Sequence, residues 1–183
     1  MRVIARNEVR GSAADTDKQL KAQLSQWLEQ PPRRIDRLIL QCLLAAAPLK
    51  SQISGRCGLY LAAAHPDRNT MGALLNSVCV QHKQPKPFEF VNSVSNAAGF
   101  HIAQQLGLEG PNLFIGAGKN VWEQLQALAK LDLDDGVIEQ ALVVVCEDGE
   151  EFWVAAELVA EDSADINEAI SYSQIGGITV YTG

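Results

Sequence analysis

The apolar positions of the chain fall into two rhythms, one of about 3.6 residues for helices and one of about two for strands. Residues 1–5 read as a short opening strand. Thr16-Asp17-Lys18-Gln19 then fits a capping box, and Leu20, Leu24, Trp27 and Leu28 follow at helical spacing until Pro31-Pro32 stops the helix. A second helix opening near Arg33 gathers Ile35, Leu38, Ile39, Cys42, Leu43 and Ala46 into one stripe before Pro48 ends it, and a stripe that broad must be buried. Residues 58–63 are an apolar run between a glycine and His65-Pro66, the pattern of a strand covered on both faces. Asn69 or Thr70 caps a further helix with Leu74, Leu75 and Val78 inward, broken at Gln84-Pro85-Lys86-Pro87. Residues 93–106 read as a helix with Ala97, Ala98, Ile102 and Leu106 inward and Gly107 as its stop. Gly110-Pro111 is a turn and residues 113–115 a short buried strand; Gly116-Ala117-Gly118 leads into a helix over 120–130 with Val121, Leu125 and Leu128 on one face. The strongest strand covers 141–146, and 152–159 returns beside it through a hairpin at Asp148-Gly149. Gly176-Gly177 precedes a last extended segment at 178–181.

Strands alternating with helices and closing in a hairpin predict an α/β domain with a five-stranded mixed sheet, mostly parallel with one antiparallel strand, flanked by helices. A length of 183 residues suits a single domain, 1–183; two would be cramped. The longest apolar run, 38–49, is interrupted by Gln41 and falls short of the roughly 18 residues of a membrane span. The opening residues turn polar too soon for a secretory h-region, so the expected location is the cytoplasm. Cys42, Cys57, Cys79 and Cys146 are scattered without a CxxC, which argues against a disulfide framework. The net charge of -7 conceals an asymmetry: residues 1–90 carry 13 basic and 7 acidic side chains, residues 91–183 carry 2 and 15. The acidic half disfavours a nucleic-acid face, while the basic residues upstream can meet an acidic partner.

Candidate chemistry is sparse. Gly116-x-Gly118 between a strand and a helix suggests a phosphate loop, but neither the dinucleotide nor the Walker-A spacing is completed. Cys57, His65, Cys79 and His82 could be counted as a zinc set; only Cys79 and His82 have ligand spacing, and packing explains the thiols more simply. Asp132-Leu133-Asp134-Asp135-Gly136 has its glycine one residue early for a calcium loop and reads as an acidic helix end. His65, His82 and His101 are the classical bases; Cys57 and His101 could meet in space, although His101 fits a hydrogen-bonded structural role at the rim of its helix. No metal and no cofactor is expected.

Ser93-x-x-Asn96-x-Ala98, followed by Ile102-Ala103-x-x-Leu106-Gly107-Leu108-x-Gly110-Pro111, resembles the β-ketoacyl synthase family of the thiolase-like fold. The resemblance runs over residues 88–160 and includes the helix end and strand at 136–147 and the next strand at 154–159. It is closest to short synthase-like proteins that keep only the N-terminal half of the fold, resemble chain-length factors, and occur with ketosynthases in aryl-polyene-type pigment pathways. It therefore implies half of a thiolase-like fold. Counting on from Gly110-Pro111, Lys119 stands where the family has its nucleophilic cysteine, in Gly116-Ala117-Gly118-Lys119 in place of Ser-Thr-Ala-Cys. A lysine amine does not replace the attacking thiolate. The two histidines that the family supplies from its second half have no counterpart in these residues, and the Asp148-Gly149 hairpin stands where the family has a long insertion.

The resemblance implies a non-catalytic, chain-length-factor-like subunit that supports fatty-acid- or polyketide-type chain elongation by a partner ketosynthase. It places Asn112, Leu113, Phe114, Ile115, Gly116 and Ala117, with the helix before them, at a pseudo-twofold dimer interface. A heterodimer with the ketosynthase is the expected assembly and a homodimer the alternative; Arg33, Arg34 and Arg37 are candidate contacts for an acidic acyl carrier protein. Neither nucleic acid nor membrane is an expected partner. Lys119 either acts, on an anion or on the partner's acyl tunnel, or simply packs. Two other classes stay open: a free-standing homodimeric small-molecule or acyl-binding α/β module, and a hydrolase or transferase using one of the cysteines.

Overall fold

The computed structural model describes residues 1–65, 68–147 and 149–162, and the backbone of 171–175 and 178–182. Strand β1 (Arg2–Ser12), helix α1 (Asp17–Leu24), helix α2 (Arg37–Ala46) and a 3-10 turn at Ala47–Gln52 lead to β2 (Cys57–Ala63). An excursion of short helical pieces follows: α3 (Arg68–Leu75), a π-helical turn at Asn76–Val80, and α4 (Pro87–Asn92). Then come α5 (Ala97–Leu106), β3 (Asn112–Gly116), α6 (Val121–Asp134), β4 (Gln140–Glu147), β5 (Glu151–Ala160), β6 (Ser171–Ile175) and β7 (Ile178–Thr182).

One mixed sheet runs in the order β3-β2-β4-β5-β1-β7-β6. The five expected strands are its first five, and β7 and β6 extend it. The hairpin is as expected, with Ala141 paired antiparallel to Val159 and Cys146 to Val154; Asp148, like Pro66 and Gly176-Gly177, lies outside the described residues. Among the first five strands the balance of directions is as expected: β3, β2 and β4 pair in parallel, β5 runs antiparallel to β4, and β1, antiparallel to β5, points the same way as β4, so β5 alone is reversed. Helical crossovers join the like-directed strands β1, β2, β3 and β4, and β5 follows by a hairpin, while β7 and β6 add two further antiparallel pairings beyond β1.

The period of two sorts the central strands into two cores. Leu59, Leu61, Leu142, Val144, Val154 and Ala156 face α1, α2 and α5. Tyr60, Ala62, Val143 and Val145 face α6, which contributes Val121, Leu125, Ala129 and Leu133. Strand β1 is far longer than its apolar opening indicated, because it pairs with β5 along its whole length while carrying polar side chains. Buried Asn7, for instance, donates from Nδ2 to the Leu44 and Ala45 carbonyls at 3.3 and 3.0 Å.

Several helix bounds differ from the expectations. The capping box forms as read, Thr16 N–H donating to Gln19 Oε1 at 2.7 Å and Gln19 N–H to Thr16 Oγ1 at 3.3 Å. Yet α1 ends at Leu24, where the Ser25 hydroxyl turns back onto the Lys21 carbonyl at 2.9 Å, and Trp27 stays exposed. Helix α2 opens at Arg37, not near Arg33: Arg34 sits at φ 57°, outside the helical region, and Asp36 caps the Leu38 N–H at 2.9 Å. Pro48 does not end the run, because it occupies the first turn of the 3-10 helix, where a missing N–H is harmless. Helix α5 starts at Ala97 and closes as expected at Gly107, with φ 74°.

Leu75 and Val78, expected inward, are exposed, and so is Cys79. The excursion from α3 to α4 lies outside both cores. It is tied down by Thr70 Oγ1, which donates to Asp36 Oδ2, and by Asn92 Nδ2, which donates to the Arg34 carbonyl at 2.8 Å. Strand β3 is likewise not buried, because it is the outermost strand and Leu113 is exposed.

Candidate functional site at the head of α6 and the β3 edge

The three parallel strands end together at Ala63, Gly116 and Glu147. Beyond β3 the chain turns into α6, anchored by the Ala117 N–H, which donates to the Ala63 carbonyl at 3.0 Å. Asn120 makes the turn at φ 58°, and Lys119 beside it is exposed. The position that the resemblance assigns to the nucleophile therefore carries an ammonium group at the surface.

A cleft of about 350 Å³ opens at this turn, lined by Gly118, Val121, Trp122, Glu147, Trp153 and Arg6 among others. Arg6 lies 5.5 Å from the centroid of the Trp122 ring and pairs with Glu8 and, at 3.4 Å, with Glu157. Glu157 is buried in β5, and its second oxygen accepts from Gln126 Nε2 at 3.0 Å, so the charge keeps partners on both sides. The Arg6 guanidinium holds the Glu8 carboxyl below its usual range. The sequence singled out neither Trp122, Trp153 nor this arginine; the one signal was that Arg6 and Glu8, two residues apart, share a face of β1. The cleft does not serve the phosphate-loop reading, since Glu123 in the first turn of α6 and Glu147 put carboxylates where an anion would enter.

The cysteines offer no activated nucleophile in either core. Cys42, Cys57 and Cys146 are buried, burial pushes the Cys57 thiol up to about 12, and it donates to the Gly58 carbonyl at 3.5 Å. Cys146 donates to Gln41 Oε1 at 3.8 Å. The Cys57–His101 pairing does not form in these contacts. His101 is half-buried, its Nδ1 is enclosed with no hydrogen-bond partner among the described residues, and desolvation lowers its basicity, so the expected hydrogen-bonded role is corrected. The acidic run ends α6, with Asp132 accepting from the Tyr60 hydroxyl; burial and that carboxylate raise the tyrosine's pKa. Among the described residues no three His, Cys, Asp or Glu side chains gather to hold a metal ion, and no helix is long and apolar enough to cross a membrane.

The predicted interface segment forms the open edge of the sheet. Phe114 packs on the α2 side and Ile115 on the α6 side, leaving Asn112, Leu113 and Gly116 exposed beside a backbone edge that no strand among the described residues pairs. Asn96 Nδ2 donates to Asn112 Oδ1 at 3.2 Å, joining the start of α5 to the start of β3. Gly110 lets the preceding turn lie against β2: an added Cβ would come within 2.6 Å of the Cys57 carbonyl oxygen. The three arginines part company. The Arg37 guanidinium donates to the Asp15 and Ser12 carbonyls at 2.5 and 2.8 Å, whereas Arg33 and Arg34 are exposed and Arg34 lies 5.0 Å from the Phe88 ring centroid.

This arrangement has the α/β fold of ketosynthases and chain length factors of known structure. The chain superimposes with a TM-score of 0.67 and 13% identity on a chain of the ketosynthase (ApeO) in complex with its chain length factor (ApeC) from Xenorhabdus doucetiae, over 94% of this chain and 81% of that one. It matches the ishigamide ketosynthase/chain length factor with a TM-score of 0.70 and 14% identity, over 89% of this chain and 62% of the other. A third match, TM-score 0.57 and 13% identity over 86% and 57%, is to AntDE:AntF, a type II acyl-carrier protein in complex with its ketosynthase. The chain thus spans less than two thirds of the second and third of these. No family model matches it, and no curated protein does.

Proposed function

We propose that this chain is a non-catalytic, chain-length-factor-like subunit, one domain over residues 1–183, that pairs with a ketosynthase in the cytoplasm and supports polyketide- or fatty-acid-type chain elongation, as in aryl-polyene-type pathways. The observation that carries this reading is the ketosynthase and chain-length-factor fold combined with an open β3 edge and an exposed lysine at the head of α6. A lysine there cannot form the acyl thioester that the family's cysteine forms. The edge supports pairing with another chain, because a strand of sequence Asn-Leu-Phe-Ile-Gly with no charge is a ready template for a partner strand. An acyl carrier protein is the further partner in this reading. Arg37 is not its contact, since its guanidinium is engaged by carbonyls within the chain.

Co-expression of the chain with each ketosynthase of its own genome tests the proposal. A stable complex is expected, lost in Leu113→Lys, which sets a charge on the open edge; the chain alone should not condense acyl thioesters. A lone, stable homodimer that binds acyl groups would instead favour the free-standing module, and acyl transfer onto any cysteine, read by intact mass, would overturn the non-catalytic reading.

A further inference from the structure

Among the described residues, the excursion between β2 and α5 gathers most of the large apolar side chains that are exposed to solvent. Phe88 is 52% exposed, Phe90 64% and Val80 69%, with Leu75, Val91 and Val94 alongside at half or more. Isolated exposed apolar residues are ordinary, but a contiguous set of large ones marks a contact surface. Along the chain this set leads to the open edge of the sheet. Val94 N–H bonds back to the Val91 carbonyl, Phe100 stands one helical turn beyond Asn96 and is 57% exposed, and Asn96 is hydrogen-bonded to Asn112 at the start of β3.

The margin of the surface is basic although the chain is acidic. Between residues 68 and 94 stand Arg68, Lys83 and Lys86 against Glu89, and Arg33 and Arg34 lie next to them. Arg34, Lys86, Phe88, Glu89 and Asn92 line a notch of about 480 Å³, in which Lys86 pairs with Glu89 at 3.8 Å and Asn92 Nδ2 donates to the Arg34 carbonyl, so the notch itself is already partly neutralised. A second copy of this chain, docked through the same patch by a twofold axis, would set this basic margin against itself.

We infer that the α3–α4 excursion, together with the β3 edge, is the docking face for a ketosynthase whose matching surface is apolar at its centre and acidic at its margin, and that the chain does not pair with itself through it. This rests on the reading given under the proposed function. The partner sets its acidic margin against Arg33, Arg34, Lys83 and Lys86 and covers the phenylalanines, so the complex is salt-sensitive while its centre is not.

The test uses the full chain and the ketosynthase with which it co-purifies. Light scattering should find the chain alone monomeric. The triple variant Arg34→Glu, Lys83→Glu, Lys86→Glu should weaken the complex by about tenfold or more at low ionic strength and less at high ionic strength. Phe88→Ser with Phe90→Ser should weaken it at both, and circular dichroism checks that each variant is folded. Wild-type affinity in both variants overturns the inference and leaves the proposed function standing; failure of the wild type to bind any ketosynthase overturns both. A homodimer broken by the phenylalanine variant would assign the face to a second copy. Binding of the wild type to vesicles of phosphatidylglycerol and phosphatidylcholine, lost in the triple variant, would assign it to a lipid surface. Either result refutes the occupant named here.

Discussion

Helix α6 packs against the sheet and the α3–α4 excursion lies outside both cores, and the two meet the solvent in opposite ways. Helix α6 buries Val121, Leu125, Ala129 and Leu133 and turns Glu123, Gln124, Lys130 and Asp134 outward, with Lys130 paired to Asp134 at 2.6 Å. That pairing raises the Lys130 pKa. Apart from Leu131, its outer face is finished against water. The excursion has the reverse distribution, with no residue of its π-helical turn or of α4 buried and its phenylalanines exposed. One region spends its apolar side chains on its own core; the other holds them for something outside the chain. Helix α6 carries Glu123, Asp132 and Asp134 against Lys130, whereas Arg68, Lys83 and Lys86 on the excursion, with Arg34 beside it, stand against Glu89.

The comparison breaks most directly by truncation. Leu125→Ala should cost about 2–5 kcal/mol of unfolding free energy by urea denaturation, since it opens a cavity in a fully buried layer. Phe90→Ala should cost about 0.5 kcal/mol or less, although it removes a larger side chain. If Phe90→Ala proves as damaging as Leu125→Ala, the excursion packs within the chain and the contrast is void.

Thiol chemistry sharpens the same contrast. In the native protein Cys79 should react with iodoacetamide, whereas Cys42, Cys57 and Cys146 should react only on unfolding, read peptide by peptide by mass spectrometry. Burial holds the Cys57 thiol protonated at neutral pH. Protection of Cys79 on addition of the ketosynthase would locate the partner on the excursion; equal labelling of all four thiols would contradict the two-region picture.

The smallest effect concerns His101, on the helix between the two regions. Its folded pKa is lowered by desolvation, so below the usual imidazole range the unfolded chain binds the proton better. Stability should therefore be lost as pH falls from the ordinary histidine value toward the lowered one, and should be flat above it. His101→Gln should remove this slope in denaturation measured across that window; an unchanged slope would assign it to other groups.

Much of the fold was legible because its strands and buried helices obey their periods without interruption. The β4–β5 hairpin, the all-buried stripe of α2 and the Thr16 capping box follow directly from residue spacing. The misreadings share a cause. Leu75, Val78 and Leu113 are apolar at regular spacing, and periodicity reports which residues share a face without reporting what covers that face. Helix α4 was missed because Pro85 and Pro87 read as breakers, when a proline in the first turn of a helix costs nothing. In the candidate site, the segment 112–117 and Lys119 came from the family resemblance, and the structure places them on an edge and at a turn. The Arg6–Trp122 contact could not be foreseen, because it joins β1 to α6 across most of the chain.

That same long reach of β1 bears on how the protein is made. Strand β1 lies between β5 and β7, pairing Arg2 with Ala160 and Ser12 with Glu151, so it has neither neighbour to join until synthesis has passed residue 160. Closing so large a loop is slow, and during the wait an uncharged edge strand and a cluster of phenylalanines are exposed in a nascent chain. Synthesis beside the ketosynthase, from a shared message, would shorten the time those surfaces stand uncovered.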